Sequence, residues 1–153
     1  MTANEFTRRC CMTDQELVHA TLEGYADAYC AKDLDSLMAI FVDGEAVSLI
    51  GTGSDELCSG RKAVAAVFKR NFRDATATRF EWGWKDIAIH DKSATVAIAL
   101  NIHLKIDDEA VVVPIRWTVS LVLTNAGWRW VHRHASTEAS SQDEGSAYPS
   151  GIN

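Results

Sequence analysis

Two histidines separated by one residue, His132 and His134, close the segment WRWVHRH. Imidazole is the side chain whose proton affinity lies nearest neutral pH, so a pair inside an apolar cavity would suit general acid–base chemistry. On a strand, the i, i+2 spacing sends both rings to one face, and Trp128 and Trp130 share that parity. In the preceding segment Ile115, Trp117, Val119, Leu121 and Leu123 also share a face. A tight turn at Ala126-Gly127 brings the two apolar faces together, since a one-residue slip would reverse one of them. The pattern predicts a largely apolar pocket with Trp117 and Val119 on its wall and the imidazoles at its far end. Tyr25 joins as a hydrogen-bond donor, because Val18, Leu22, Tyr25 and Tyr29 recur at helical spacing and put both tyrosines on the inward stripe. Each candidate also has a plainer explanation. Tyr25 can be a core tyrosine with one buried partner, and the histidines neutral rings at a sheet edge.

Other groups are less suggestive. Asp55 and Glu56 lie in GTGSDELCSG, a stretch of turn-formers. A carboxylate there could serve as a base, recognise a polar substrate group, or sit in a solvated turn. The GTG triplet resembles no phosphate-binding loop. Catalytic zinc needs three convergent protein ligands. His103 has the opposite parity to the apolar side of its own strand, so no metal is expected, and no cofactor motif is present. Arg116, Arg129 and Arg133 alternate away from the tryptophan face and are assigned to the outside of the sheet, together with Thr118, Val122 and Val131.

The elements that must position these groups are readable from their periods. Thr13 and Glu16 form a capping-box pattern at the start of a first helix. Asp33 can cap a second, short helix carrying Leu34, Leu37, Met38 and Phe41. A turn at Asp43-Gly44 precedes a short strand at Ala46–Ile50, and a third helix runs from about Arg61 to Phe72. From residue 78 the period becomes two. Phe80, Trp82 and Trp84 alternate, with a bulge expected near Lys85-Asp86 where parity changes. Ala94 to Leu104 alternates without fault, and Asp107-Asp108-Glu109 leads into the last hairpin. Helices first and a meander of long strands second is an α+β layout, with three N-terminal helices packed on an antiparallel sheet. The expected organisation is a flexible N-terminus over residues 1–12, one domain over 13–138 and a polar, flexible tail over 139–153.

Composition limits the partners. The chain has 153 residues, 47% of them hydrophobic, enough for one globular domain with a real core. A formal charge of −6 with scattered basic residues argues against nucleic acid. No apolar run reaches the ~18 residues of a membrane span, and MTANEFTRRCCM lacks a signal peptide's apolar stretch. Cys10, Cys11, Cys30 and Cys58 show no disulfide framework, so a reduced, cytoplasmic setting is expected, with oxidation of the neighbouring Cys10 and Cys11 left open.

Three stretches carry a family resemblance: LEGYADAYCAKDLDSLMAIFVDGEAV, GTGSDELCSGRKAV and RWTVSLVLTNAGWRWVHRHAS. Their order resembles the nuclear-transport-factor-2-like (NTF2-like) superfamily, including SnoaL-like and ketosteroid-isomerase-like proteins. The resemblance spans about residues 13–138 and implies a cone: a strongly curved sheet wrapped over helices, with a pocket inside for a small, largely apolar molecule. It places the Asp55 loop and Trp84 near the pocket mouth, and it implies a homodimer through the outer sheet face. Tyr25 falls where ketosteroid-isomerase-like members carry an oxyanion-holding tyrosine. Their shuttling aspartate would fall at Ser48-Leu49-Ile50, and their oxyanion aspartic acid near Arg116-Trp117. Neither carboxylate is present, which removes that isomerase mechanism. What remains is an acid–base enzyme using His134 or His132 with Tyr25, or a non-catalytic ligand-binding pocket. A third option is an oligomerisation module, since WRWVHRH also resembles the end of the calmodulin-dependent kinase association domain.

Overall fold

The structure, a computed structural model, describes residues 12–151. The redox expectation for Cys10 and Cys11 lies outside the described residues. Helix α1 (Asp14–Cys30) begins at the capping box read from the sequence. Thr13 Oγ1 accepts from the Glu16 amide at 3.2 Å, and the Glu16 carboxylate accepts from the Thr13 amide at 2.7 Å. Its inward stripe is Val18, Leu22 and Tyr25, all essentially buried. Asp33 caps α2 (Leu34–Met38) by accepting from the Ser36 amide at 3.0 Å. Helix α3 (Arg61–Asp74) starts after Gly60, whose φ of 88° suits a residue without a side chain. The Arg61 guanidinium then donates to the carbonyls of Val42 (2.7 Å) and Met38 (3.1 Å), tying α3 to the end of α2.

The described residues form a six-stranded sheet in the order β2-β1-β6-β5-β4-β3. Its strands are β1 (Ser48–Ile50), β2 (Leu57–Ser59), β3 (Thr76–His90), β4 (Ser93–Ile106), β5 (Glu109–Thr124) and β6 (Gly127–Ser136). The long strands β3 to β6 form the antiparallel meander expected from the period-two text. The short strands depart from expectation. Strand β2 falls inside the segment read as loop, because its three residues are too polar and exposed to show a hydrophobic pattern. Strand β1 runs parallel to β6, pairing Ser48 with His132, Leu49 with Arg133 and Ile50 with His134. The expected bulge in β3 sits slightly earlier, between Trp82 and Lys85.

The sheet curves over the helices, leaving an unclosed cone with its core between the layers. Aromatic rings fill the closed end. Tyr25 stacks on Trp130 at 4.8 Å and 11°, and meets Trp117 edge-on at 5.0 Å and 76°. Pairs of this geometry add about 0.5–1.5 kcal/mol each beyond their buried area. Two indoles also tie the sheet to α1: Trp130 Nε1 donates to Thr21 Oγ1 at 2.8 Å and Trp128 Nε1 to Asp14 Oδ1 at 3.1 Å. None of the described helices is long and apolar enough to cross a membrane.

Candidate functional site

The open end of the cone holds a cavity of about 230 Å³. Apolar walls come from Ile102 and Leu104 of β4, Val113 and Ile115 of β5, and Ala135 of β6. Polar groups reach it from Tyr29 of α1, Glu56 before β2, Asn71 and Asp74 of α3 and Arg133 of β6. Burial holds the Tyr29 phenol above its ordinary range, opposed by a hydrogen bond from Asn71, so its proton stays on the oxygen.

The predicted pair of inward histidines is corrected by one residue. Trp130 pairs with Leu121, but the next rung joins His132 to Ser120, so Val131 is an extra residue in β6. A bulge reverses the parity of everything beyond it. Trp128 and Trp130 face the core as expected, and after the bulge Arg133 and Ala135 take the inner face. His132 and His134 turn outward beside Ser120 and Thr118, and His134 is exposed. The cause lies at the other edge of β6. Its backbone exchanges hydrogen bonds with Ile40 and Val42 at Trp130, then changes partner to β1 from His132 onward. The extra residue falls where the neighbour changes.

His132 therefore makes an outer-face contact, with Nδ1 2.7 Å from Ser48 Oγ. Burial, and secondarily the neighbouring His134, push its imidazole below the ordinary histidine value. Neither ring lines the cavity. The assignment of Arg133 to the outer face is likewise corrected: it is 7% exposed and points inward. Its Nη1 donates to Tyr25 Oη at 3.2 Å, and its guanidinium carbon lies 5.2 Å from the Trp117 ring centre. Tyr25, Trp117 and Val119, expected on the pocket wall, instead form the layer behind Arg133 and do not line the cavity. Burial raises the Tyr25 phenol strongly, with Arg133 opposing, so Tyr25 is a neutral hydroxyl.

The mouth is also shifted by one residue. Asp55, the expected rim carboxylate, is largely exposed, whereas Glu56 folds back with only 15% of its side chain exposed. Arg70 of α3 holds both carboxylates: Nη1 donates to Asp55 Oδ2 at 2.9 Å and Nη2 to Glu56 Oε1. The Gly53 amide adds a bond to Glu56 at 3.2 Å. Here the GTG triplet has a structural reason, since a Cβ at Gly51 would collide with the Glu56 carboxylate. Trp84 is 68% exposed in the β3 bulge and takes no part in the cavity, the bulge having turned it to solvent.

Alternation alone could not have found Arg133. The one hint in the text is that Ala135, the last apolar residue of β6, has the parity of Arg133 and not of the tryptophans. Glu56 carried no signal beyond its place in the loop.

A curved sheet over three helices, with a cavity at the open end, defines a cone-shaped α+β protein of NTF2-like type. A family profile described as the SnoaL-like domain matches residues 18–140, and the chain belongs to that family. No curated protein matches the chain. Solved structures share the fold. A candidate dehydratase of the NTF2-like family from Streptomyces avermitilis superposes with a TM-score of 0.73 at 18% identity, covering 81% of this chain and 95% of its own. An NTF2-like protein with a cystatin-like fold from Novosphingobium aromaticivorans gives 0.68 at 19% identity, with 96% and 93% covered. A ketosteroid isomerase-like protein from Erwinia carotovora atroseptica gives 0.66 at 19% identity, with 81% and 95% covered.

Proposed function

We propose that this SnoaL-like protein binds a small, largely apolar molecule in the cavity between Tyr29, Ile102, Val113, Ile115, Ala135 and Arg133. The observation that carries this is the composition of the wall: aliphatic side chains from three strands, with a few polar groups converging from other elements. That is the usual construction of a small-molecule site, and about 230 Å³ lies just below the common range, which favours a compact ligand. Native extraction followed by mass spectrometry tests it. A molecule should copurify with the native protein and be lost from Ala135→Phe, whose ring fills the cavity. Equal retention by both proteins would refute the assignment.

Glu56 supports a second, catalytic reading. Proton transfer needs a base and a donor facing the same bound molecule. On this wall Glu56 is a carboxylate anchored by Arg70 and Gly53, and Tyr29 is a neutral hydroxyl. A dehydration, the reaction named for the Streptomyces avermitilis relative, would use a base and a donor in this way. Under this reading Glu56→Gln keeps the copurifying molecule bound and abolishes its turnover. Turnover retained by Glu56→Gln would refute Glu56 as the base, and absence of turnover by the native protein would leave ligand binding as the function.

Assembly belongs to the same proposal. The outer face of β5 and β6 carries exposed Thr118 beside half-buried Val122 and Val131. Homodimerisation through this face would cover that semi-apolar surface. Sedimentation should show a dimer at micromolar concentration, and a stable monomer would count decisively against it.

A further inference from the structure

Arg133 is the charge in this cavity that the fold leaves unanswered. Guanidinium stays protonated at any pH a protein survives, so it cannot escape burial by losing its charge. A buried ion is costly unless it is paired and its donors are used. Arg133 is 93% buried by the exposure given above, yet among the described residues no carboxylate pairs with it. Among the described residues its one polar partner is Tyr25, a neutral phenol, and its Nε finds no acceptor. The Trp117 ring offers a cation–π contact at 5.2 Å, which steadies the guanidinium without neutralising it.

Other arginines around the site show what satisfaction looks like here. Arg70 meets the carboxylates of Asp55 and Glu56, and Arg61 meets two backbone carbonyls. Glu56 and Asp74 also line the cavity, but their charges are already matched by Arg70 and Arg73. The cavity wall therefore holds two matched carboxylates and an unmatched guanidinium in β6. A formal net charge of −6 means the protein as a whole does not attract anions, so selection for one must be local.

We infer that Arg133 is an anion-recognition residue, and that the cavity takes a small molecule with an apolar body and one carboxylate, which pairs with this guanidinium. This deepens the pocket assignment and rests on it. The planar fork of arginine matches a carboxylate with two parallel bonds, and the Ile102, Val113 and Ile115 walls receive the apolar body.

Matched probes test it: benzoate with benzamide, and hexanoate with hexanamide, measured by calorimetry and thermal shift on the full chain. At least one acid should bind about tenfold to a hundredfold more tightly than its amide, the range for a hydrogen bond to a charged group. Arg133→Met, checked for native circular dichroism, should reduce the acid to the affinity of the amide. A measurement on the native protein covers the case in which that variant does not fold. Affinity for the acid should fall as pH drops through the probe's own carboxyl pKa, while affinity for the amide stays level. Amides binding as well as acids, with no such pH dependence, would overturn the anion assignment and leave the apolar pocket standing. Binding of none of the four probes, together with retention of a copurified molecule by Ala135→Phe, would overturn both.

Discussion

The two halves of β6 are built from the same kinds of residue and do opposite things. Before the bulge, Gly127–Trp130 sends two indoles inward, each buried and each tied to α1 by its N–H. After it, His132–Ser136 sends inward an arginine and an alanine, which leave open space, and places two imidazoles outside. The first half closes the cone by filling it, and the second opens it by failing to fill it. One extra residue, Val131, separates the two. A cavity here is thus a property of where a strand changes neighbours more than of what residues it contains.

That contrast breaks most visibly in stability. Trp130 is fully buried against Tyr25 and Phe41. Trp130→Ala should cost about 3–5 kcal/mol, read from urea unfolding. Arg133→Met, three residues on and nearly as buried, should cost nothing. An unpaired buried charge is itself costly, so a hydrophobe of similar length in its place removes that penalty and leaves stability unchanged or raised. A loss comparable to that of Trp130→Ala would show that Arg133 is structural glue and would erase the distinction between the halves.

Arg70 sharpens the comparison from the other side of the cavity. Its ion pairs are at the rim, with Asp55 mostly in solvent. Arg70→Ala should therefore cost only about 1 kcal/mol or less in stability, measured in the same way. A loss as large as that of Trp130→Ala would make the rim part of the core.

The smallest expected effect concerns the outward histidines. Burial holds His132 below its ordinary value, so the unfolded chain takes up a proton first as pH falls. The contribution from His132 is thus constant above about pH 6.5, the unfolded histidine value, and declines below it. Against His132→Asn, which also loses the Ser48 contact, the native protein's advantage in Tm should shrink as pH falls from about 7.5 through that value. A constant difference across that window would show that His132 titrates as a free surface histidine.

Much of the architecture followed from local pattern. Thr13 with Glu16, Asp33 before Leu34, and the Val18–Leu22–Tyr25 stripe depend on residues within one or two turns, so the text carried them. The same is true of the long strands, whose alternation reports a sheet with one covered face. Glu56 in place of Asp55 was decided by Arg70, fourteen residues on in another element, and by glycines that let the loop fold back. Arg133 in place of His132 and His134 was decided by β1, whose Ser48 pairs with a residue 84 positions later. By itself the sequence determined the helices, the meander, the family and, Trp84 apart, the inward side of the long strands up to Trp130. Only the tertiary structure decided which side chains of the last strand reach the cavity. The physical reason is that strand parity is counted from the last regular rung, and a bulge imposed by a distant neighbour restarts the count.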